Sequence, residues 1–307
     1  MNGDKTALRQ SCENGFSNPE QPLPIERIIE YYQEAGMDYK HWSKRFNMHY
    51  GYYRWGINPF NRERMLEQMN LEGVNRLRLN STDPAFLIDL GCGVGATARC
   101  IAKNYSNSII KGVTIVPWQI EKALELNAKE KLHKQIEILH ANYTALPFED
   151  CMADGVWAID SICYAEGANK ENVIGEMARV LKKGGRFVVA DCFIKQPEKQ
   201  FNALIRKCYT TCCKNWAFRE MATLEYFVAT LKEHGFIDIM VEDISWQIAP
   251  SVAHAPFAVF TFILKKLLAG ERLKQESINN LKASLLSVVL GLNRSKISYC
   301  LISGTRG

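Results

Sequence analysis

The feature that most constrains this chain is a short apolar run that breaks directly into glycines: FLIDL at 86–90, then GCGVGAT, then the helical pattern ATARCIAKN. Glycines at such a turn let the backbone approach a ligand closely and leave the N–H groups of the next helix facing it. The pattern repeats downstream. IIKGVTI reads as a second strand, PWQIEKALELNAKEKL as a helix opening on Pro117, IEIL as a third strand and ADGVWAID as a fourth. KENVIGEMARVL then reads as a helix and RFVVADCF as a fifth strand. Strands alternating with helices of this length imply parallel strand–helix–strand units in an open sheet covered on both faces. Ligands of such sheets bind beyond the C-terminal ends of the strands.

Around this centre the chain is less regular. Residues 25–34 predict a helix, and a second follows Asn58 and Pro59, with Leu66, Met69, Gly73 and Leu77 at helical spacing. TLEYFVATLKEHGF predicts a helix, IDIMVEDISWQI a strand, and KISYCLIS an alternating strand near the end. Between those strands, residues 249–295 read as a helical, apolar insertion too long for a plain loop, hence a cap. The division expected is a disordered leader (1–24), a helical and aromatic lid (25–80), a core (81–248, with acceptor-side elements around 193–223), the cap (249–295) and a last core strand (296–307).

Composition excludes several classes. A net charge of +5 comes from basic residues interleaved with acidic ones, so nucleic acid is not an expected partner. The ten cysteines form no regular framework and no CxxC pair, which points to reduced thiols in a cytoplasmic protein and to no metal centre. The run APFAVFTFIL falls short of the roughly 20 residues a membrane-spanning helix needs. Peripheral membrane contact stays open, as does the oligomeric state.

DLGCGVG resembles the first motif of the class I methyltransferases that use S-adenosylmethionine, and further motifs follow in order: GVTIVPWQ, ANYTALPFED, VWAIDSICYAEG and ARVLKKGGRFVVAD. The chain resembles in particular the sterol C-methyltransferases, the tocopherol methyltransferases and bacterial natural-product methyltransferases. The resemblance implies an α/β, Rossmann-like, doubly wound fold: a mostly parallel seven-stranded sheet with an antiparallel C-terminal strand, N-terminal helices and the cap before the last strand. It implies S-adenosyl-L-methionine as cofactor. It also implies that Asp89, Gly91 and Gly93 cradle the amino-acid part of that cofactor, that Thr114 and Gln119 contact the ribose, and that Asn142 and neighbouring Tyr143 lie by the adenine. Asp160 matches a cofactor-side carboxylate.

Ahead of the first strand, FNMHYGYYRWG is dense in aromatic rings. In the resembling families such a segment folds over the cofactor, with Tyr50 and Tyr52 at its aromatic positions. Aromatic faces suit a sulfonium because the ring quadrupole attracts cations. Where related sugar and phenol O-methyltransferases place a histidine, this chain has Cys163 and Tyr164. That leaves Asp191, Glu166, His49, Tyr50 and Tyr164 as candidate catalytic groups.

With an apolar cap and no histidine base, C-methylation of an isoprenoid, either sterol-like or a prenyl diphosphate, is the expected reaction on a small lipophilic acceptor. Lys44, Arg45, Arg54, Arg62 and Arg64 cluster near the aromatic stretch, either as a solvated face, the reading preferred, or as groups that would meet a diphosphate. O- or N-methylation of an aromatic or polyketide-type metabolite is the alternative, and a non-catalytic cofactor-binding partner subunit a remote one.

Overall fold

The computed structural model describes residues 25–307, and the leader expected over 1–24 lies outside them. In chain order the elements are α1 (Ile25–Ala35), α2 (Arg62–Leu77), β1 (Ala85–Leu90), α3 (Ala96–Asn104), β2 (Ser108–Thr114), α4 (Pro117–Lys129), β3 (Ile136–His140), β4 (Ala153–Ile159) and α5 (Glu171–Val180). Then come β5 (Leu181–Ile194), α6 (Ala203–Asn215), β6 (Ala222–Thr223), α7 (Leu224–Glu233), β7 (Phe236–Asp243), α8 (Ser245–Val252), α9 (Ala255–Leu268), α10 (Gln275–Gly291) and β8 (Ile297–Arg306).

The sheet runs in the order β3-β2-β1-β4-β5-β8-β7, with two-residue β6 paired to the end of β5 as an eighth strand. β1 to β5 pair in parallel, whereas β8 runs antiparallel to both β5 and β7. The strand order reverses beside β1, so the crevice beyond β1 and β4 is where such a sheet receives its ligand. The apolar runs that predict buried strands are buried: Leu87, Ile88 and Leu90 of β1 and Phe187, Val188, Val189 and Ala190 of β5 are closed to solvent on both faces.

Two expectations are corrected. IDIMVEDISWQI is not one strand, because β7 ends at Asp243 and α8 begins at Ser245. Asp243 Oδ1 accepts from the Ser245 N–H at 3.0 Å, a local side-chain bond that turns the backbone out of the ladder and opens the helix. The helical insertion therefore starts at Ser245. The second N-terminal helix starts not at Asn58 and Pro59 but at Arg62, where Asn61 accepts from the Arg64 N–H at 3.2 Å as a cap.

α8, α9 and α10 lie over the C-terminal end of β5 and the adjacent start of β8. α10 packs on α6 at Ala283, which is fully buried and whose carbonyl accepts from the Cys212 thiol. Nothing larger than a methyl fits there without moving a helix. Ala283→Leu is expected to lower the unfolding free energy by about 1–3 kcal/mol through overpacking, read by urea denaturation.

Candidate active site

Two adjoining cavities open beyond β1, β4 and β5, and Tyr32, Met48, His49, Asp160 and Tyr164 line both. These five side chains are the partition where a group would pass from one cavity to the other.

The larger cavity, about 270 Å³, is built on the glycine turn. Gly91 has φ +72°, and a Cβ there would stand 2.6 Å from Ser161 Cβ, so only glycine fits. Gly93 (φ +53°) brings its backbone under the Met48 thioether. Asp89 is 3% exposed and its Oδ2 is buried with no hydrogen-bond partner. Burial pushes its carboxyl well above the usual range. An unpaired buried carboxyl oxygen on a cavity wall is a vacancy for a cationic donor.

Beyond β2, Thr114 Oγ1 donates to Gln119 Oε1 at 2.6 Å, which orients the Gln119 amide, and both line this cavity. Asn142 accepts from the Thr144 N–H at 3.0 Å, and Tyr143 donates to the Ser161 carbonyl at 2.9 Å. Asp89, Gly91, Gly93, Thr114, Gln119, Asn142, Tyr143 and Asp160 are thus brought to one wall. Tyr52 is not among them: its side chain reaches toward Arg76, Glu72 and Glu242 on the far side of α2. Glu166 is exposed and sits on this cavity, not on the second.

The second cavity, about 150 Å³, lies beneath the helical insertion, with Ala255, Val259 and Phe262 of α9 and Leu281 and Ser284 of α10 as its roof. Its walls are aromatic: Tyr32, Tyr39, Trp42, Tyr50, Tyr164, Trp216 and Phe218. Among the described residues, no lysine or arginine lines it. None of Lys44, Arg45, Arg54, Arg62 and Arg64 is among its lining residues, and three of them are engaged elsewhere. Arg62 donates to the carbonyls of Trp42 and His41, while Arg45 and Arg64 pair with Glu67.

At its floor stand two carboxylates from adjacent strand ends. Asp160 follows β4, its N–H donating to the Ala190 carbonyl at 2.8 Å, so the next residue of β5, Asp191, is its neighbour. Asp160 sits at φ +49°, a conformation a non-glycine residue rarely adopts and one that clusters at functional sites. Burial pushes Asp191 up to about 6, although the N–H groups of Cys192 (2.7 Å) and Cys163 (3.1 Å) stabilise its charge. Asp160 is pushed well above the usual range, by burial and then by the neighbouring Asp191 charge. Burial and proximity together oppose a second negative charge on the pair.

The remaining candidates are held differently. Both ring nitrogens of His49 lie against protein oxygens, the Tyr50 carbonyl at 2.9 Å and Asn70 Oδ1 at 3.0 Å, and burial lowers its pKa. Its imidazole is a strut. Burial raises the phenols of Tyr50 and Tyr164, which keeps them protonated: Tyr50 meets Ser287 Oγ at 2.8 Å, and Tyr164 meets the Tyr32 hydroxyl at 2.9 Å and donates to the Trp216 carbonyl. They are hydrogen-bonded rings, not bases.

The aromatic segment is pinned in place. The Tyr50 N–H donates to Asp160, Gly51 N–H to Ser251 Oγ, and Tyr53 N–H to the Gln247 carbonyl. Residues the sequence reading did not single out are Tyr32, Tyr39, Met48 and Trp216. The Tyr31–Tyr32 pair on the amphipathic helix α1 was the signal for the first of these.

A methyltransferase domain is matched over residues 88–189, from β1 into β5. The chain carries a methyltransferase domain. A 24-methylenesterol C-methyltransferase 2 from Oryza sativa subsp. japonica is 39% identical over 33% of this chain and 27% of its own length. The chain spans half or less of the length of such curated relatives.

Among solved structures, the geranyl diphosphate C-methyltransferase from Streptomyces coelicolor A3(2) superposes with TM-score 0.69 at 16% identity, covering 94% of this chain and 100% of that one. The [4+2]-cyclase SpnF superposes with TM-score 0.70 at 19% identity, covering 93% and 98%. The fold is that of the class I methyltransferases, and these two neighbours show that it hosts more than one chemistry.

The raised Asp191 has a stability consequence. In the unfolded chain an aspartate ionises near pH 4, whereas in the fold Asp191 does so at about 6. The fold therefore holds an extra proton in that window; the stability is full below about pH 4 and is lost as pH rises through about 6, by about 3 kcal/mol. Asp191→Asn should reduce this slope, in urea unfolding curves taken across the window, to the part that the raised Asp160 contributes. A parallel pH dependence in the variant would place the titration elsewhere.

Proposed function

We propose that this protein is an S-adenosylmethionine-dependent methyltransferase that methylates a carbon of a neutral, lipophilic, isoprenoid-type acceptor. The observation that carries the reading is the aromatic cavity, lined by no lysine or arginine among the described residues, floored by a carboxylate pair and joined to the glycine-turn cavity. Within the isoprenoid class it favours a neutral, sterol-like acceptor over a prenyl diphosphate, whose headgroup would meet no cation among the described residues of these walls.

S-adenosylmethionine supplies a methyl group already activated by a sulfonium. The residues present fit it: Asp89 Oδ2 lacks a partner that an ammonium would provide, and Gly91 and Gly93 leave room for close backbone approach. The Thr114–Gln119 pair suits a ribose, and Asn142 offers an amide oxygen near the adenine.

The protein's work is then alignment and electrostatics. The five shared residues set the line between the two cavities. As the acceptor's double bond takes the methyl, positive charge develops on its carbon. The faces of Tyr50, Trp42 and Tyr164 stabilise that charge by about 0.5–2 kcal/mol per well-placed ring. Asp191, ionised at neutral pH, balances it and accepts the proton released when the alkene re-forms.

The same carboxylate favours a second reading. An aspartate at about 6 is also a competent base for a hydroxyl, so O-methylation of an aromatic or polyketide-type acceptor uses the same floor.

Incubation with methyl-labelled S-adenosylmethionine and pooled lipid and polar extracts separates the two. Label on carbon of a neutral lipid is expected; label found only as an ether or ester of a polar metabolite contradicts the proposal.

Three variants test the site map. Asp89→Ala should weaken cofactor binding by about 10- to 150-fold, the worth of a hydrogen bond to a charged group, by calorimetry. Tyr50→Ala should lower kcat far more than cofactor affinity, and equal loss of both would make the aromatic segment scaffold only. Asp191→Asn should lower kcat by about 10²- to 10⁴-fold and abolish the rise of kcat as pH increases to about 6.

A further inference from the structure

The outer face of the helical insertion is as apolar as its inner one. Phe257, Phe260, Leu264, Leu267 and Leu268 of α9 are exposed, by 66, 63, 43, 68 and 81% respectively. At about 100° per residue they fall within an arc of about 100°, opposite the buried Ala255, Val259 and Phe262 that roof the acceptor cavity. The stripe extends past the helix start: His254 Nε2 meets the Pro59 carbonyl at 2.8 Å, which sets Phe60, 86% exposed, beside it. A continuous exposed face of large apolar side chains marks a contact surface.

Its surroundings identify the partner. Lys265 flanks the stripe on α9, and Arg272 and Lys274 follow in the exposed turn before α10. The one acid within that stretch, Glu271, is already paired to Lys266. Apolar rings and leucines rimmed by unneutralised lysine and arginine are the composition of a helix that lies in the headgroup boundary of an anionic bilayer.

The helical stretch Ser245–Leu268 is long and apolar enough to cross a membrane, but it is tied to the fold. Ser251 accepts from the Gly51 N–H, Gln247 from the Tyr53 N–H, and the inner face of α9 closes the cavity. Spanning would tear these apart, whereas lying flat leaves them intact.

We infer that the outer face of α9, with Phe60, docks the protein on the surface of an anionic lipid bilayer, which places the roof of the acceptor cavity against the membrane. Docking deepens the lipophilic-acceptor reading, because an acceptor partitioned in the bilayer would then meet the protein at the helix that covers its site. It does not depend on that reading: the surface binds lipid whether or not the acceptor is an isoprenoid.

The test is flotation of the full chain with vesicles that contain no acceptor, one set of pure phosphatidylcholine and one of phosphatidylcholine with phosphatidylserine. Binding to the anionic vesicles is expected, weakening with salt. Phe257→Glu combined with Leu267→Glu should lower the bound-to-free ratio at least about tenfold. Lys265→Glu combined with Lys274→Glu, both fully surface changes, should remove the preference for anionic vesicles. Unchanged S-adenosylmethionine binding reports that each variant is folded, and methylation is read separately, so a failed acceptor assignment leaves this result standing. Three outcomes overturn the inference: no vesicle binding by the wild type; binding that survives both variants; or light scattering that shows a dimer which Phe257→Glu converts to monomer, making the face a contact between copies.

Discussion

The structure turns on one electrostatic constraint: two carboxylates from neighbouring strand ends, Asp160 and Asp191, share the floor of an apolar cavity. Burial raises both carboxyls and their proximity opposes a second charge, so the pair favours a single negative charge facing a wall of rings. Such a site has little to offer an anionic headgroup and much to offer a carbon that becomes positive.

The surrounding architecture serves that arrangement. Asp160 accepts from the Tyr50 N–H, so the aromatic segment is hung from the dyad itself. The same segment is held from above by Ser251 and Gln247 of α8, which ties the roof to the floor through Gly51 and Tyr53. A Cβ at Gly51 would stand 2.6 Å from Met65 Cβ, so the segment lies flush on α2. Lys170, fully buried, donates to the carbonyls of Ala165 (2.7 Å) and Glu220 (2.9 Å) and fixes the loop that carries Cys163 and Tyr164. Its desolvated charge also helps keep Asp191 ionised.

Much of this was legible in the sequence, for local reasons. The glycine turn, the strands around it and the insertion before β8 each follow from patterns within a dozen residues, and α3 falls where ATARCIAKN predicts it. Errors came where a local side-chain bond overrides periodicity, at Asp243 and at Asn61. In the site, the residues on strand ends and the glycine turn were readable because topology puts all strand ends at one place. Tyr52 was not, since alternation within YGYY cannot say which ring faces the cavity and which faces Arg76. Nor could His49 be judged, because its partner Asn70 lies 21 residues away on α2. The cation cluster at 44–64 could be read as a solvated face or as a diphosphate site, because its partners, Glu67 and the carbonyls of His41 and Trp42, are fixed only by the tertiary fold.

The account rests on Asp160 keeping its proton at neutral pH while Asp191 does not. Infrared difference spectroscopy of the carboxyl stretch reads this directly. The spectrum of the wild type minus that of Asp160→Asn, in which the raised Asp89 carboxyl cancels, should show a protonated-carboxyl band at neutral pH, and the wild type should gain a further such band as the pH is lowered through about 6. A difference spectrum with no protonated carboxyl at neutral pH would contradict it.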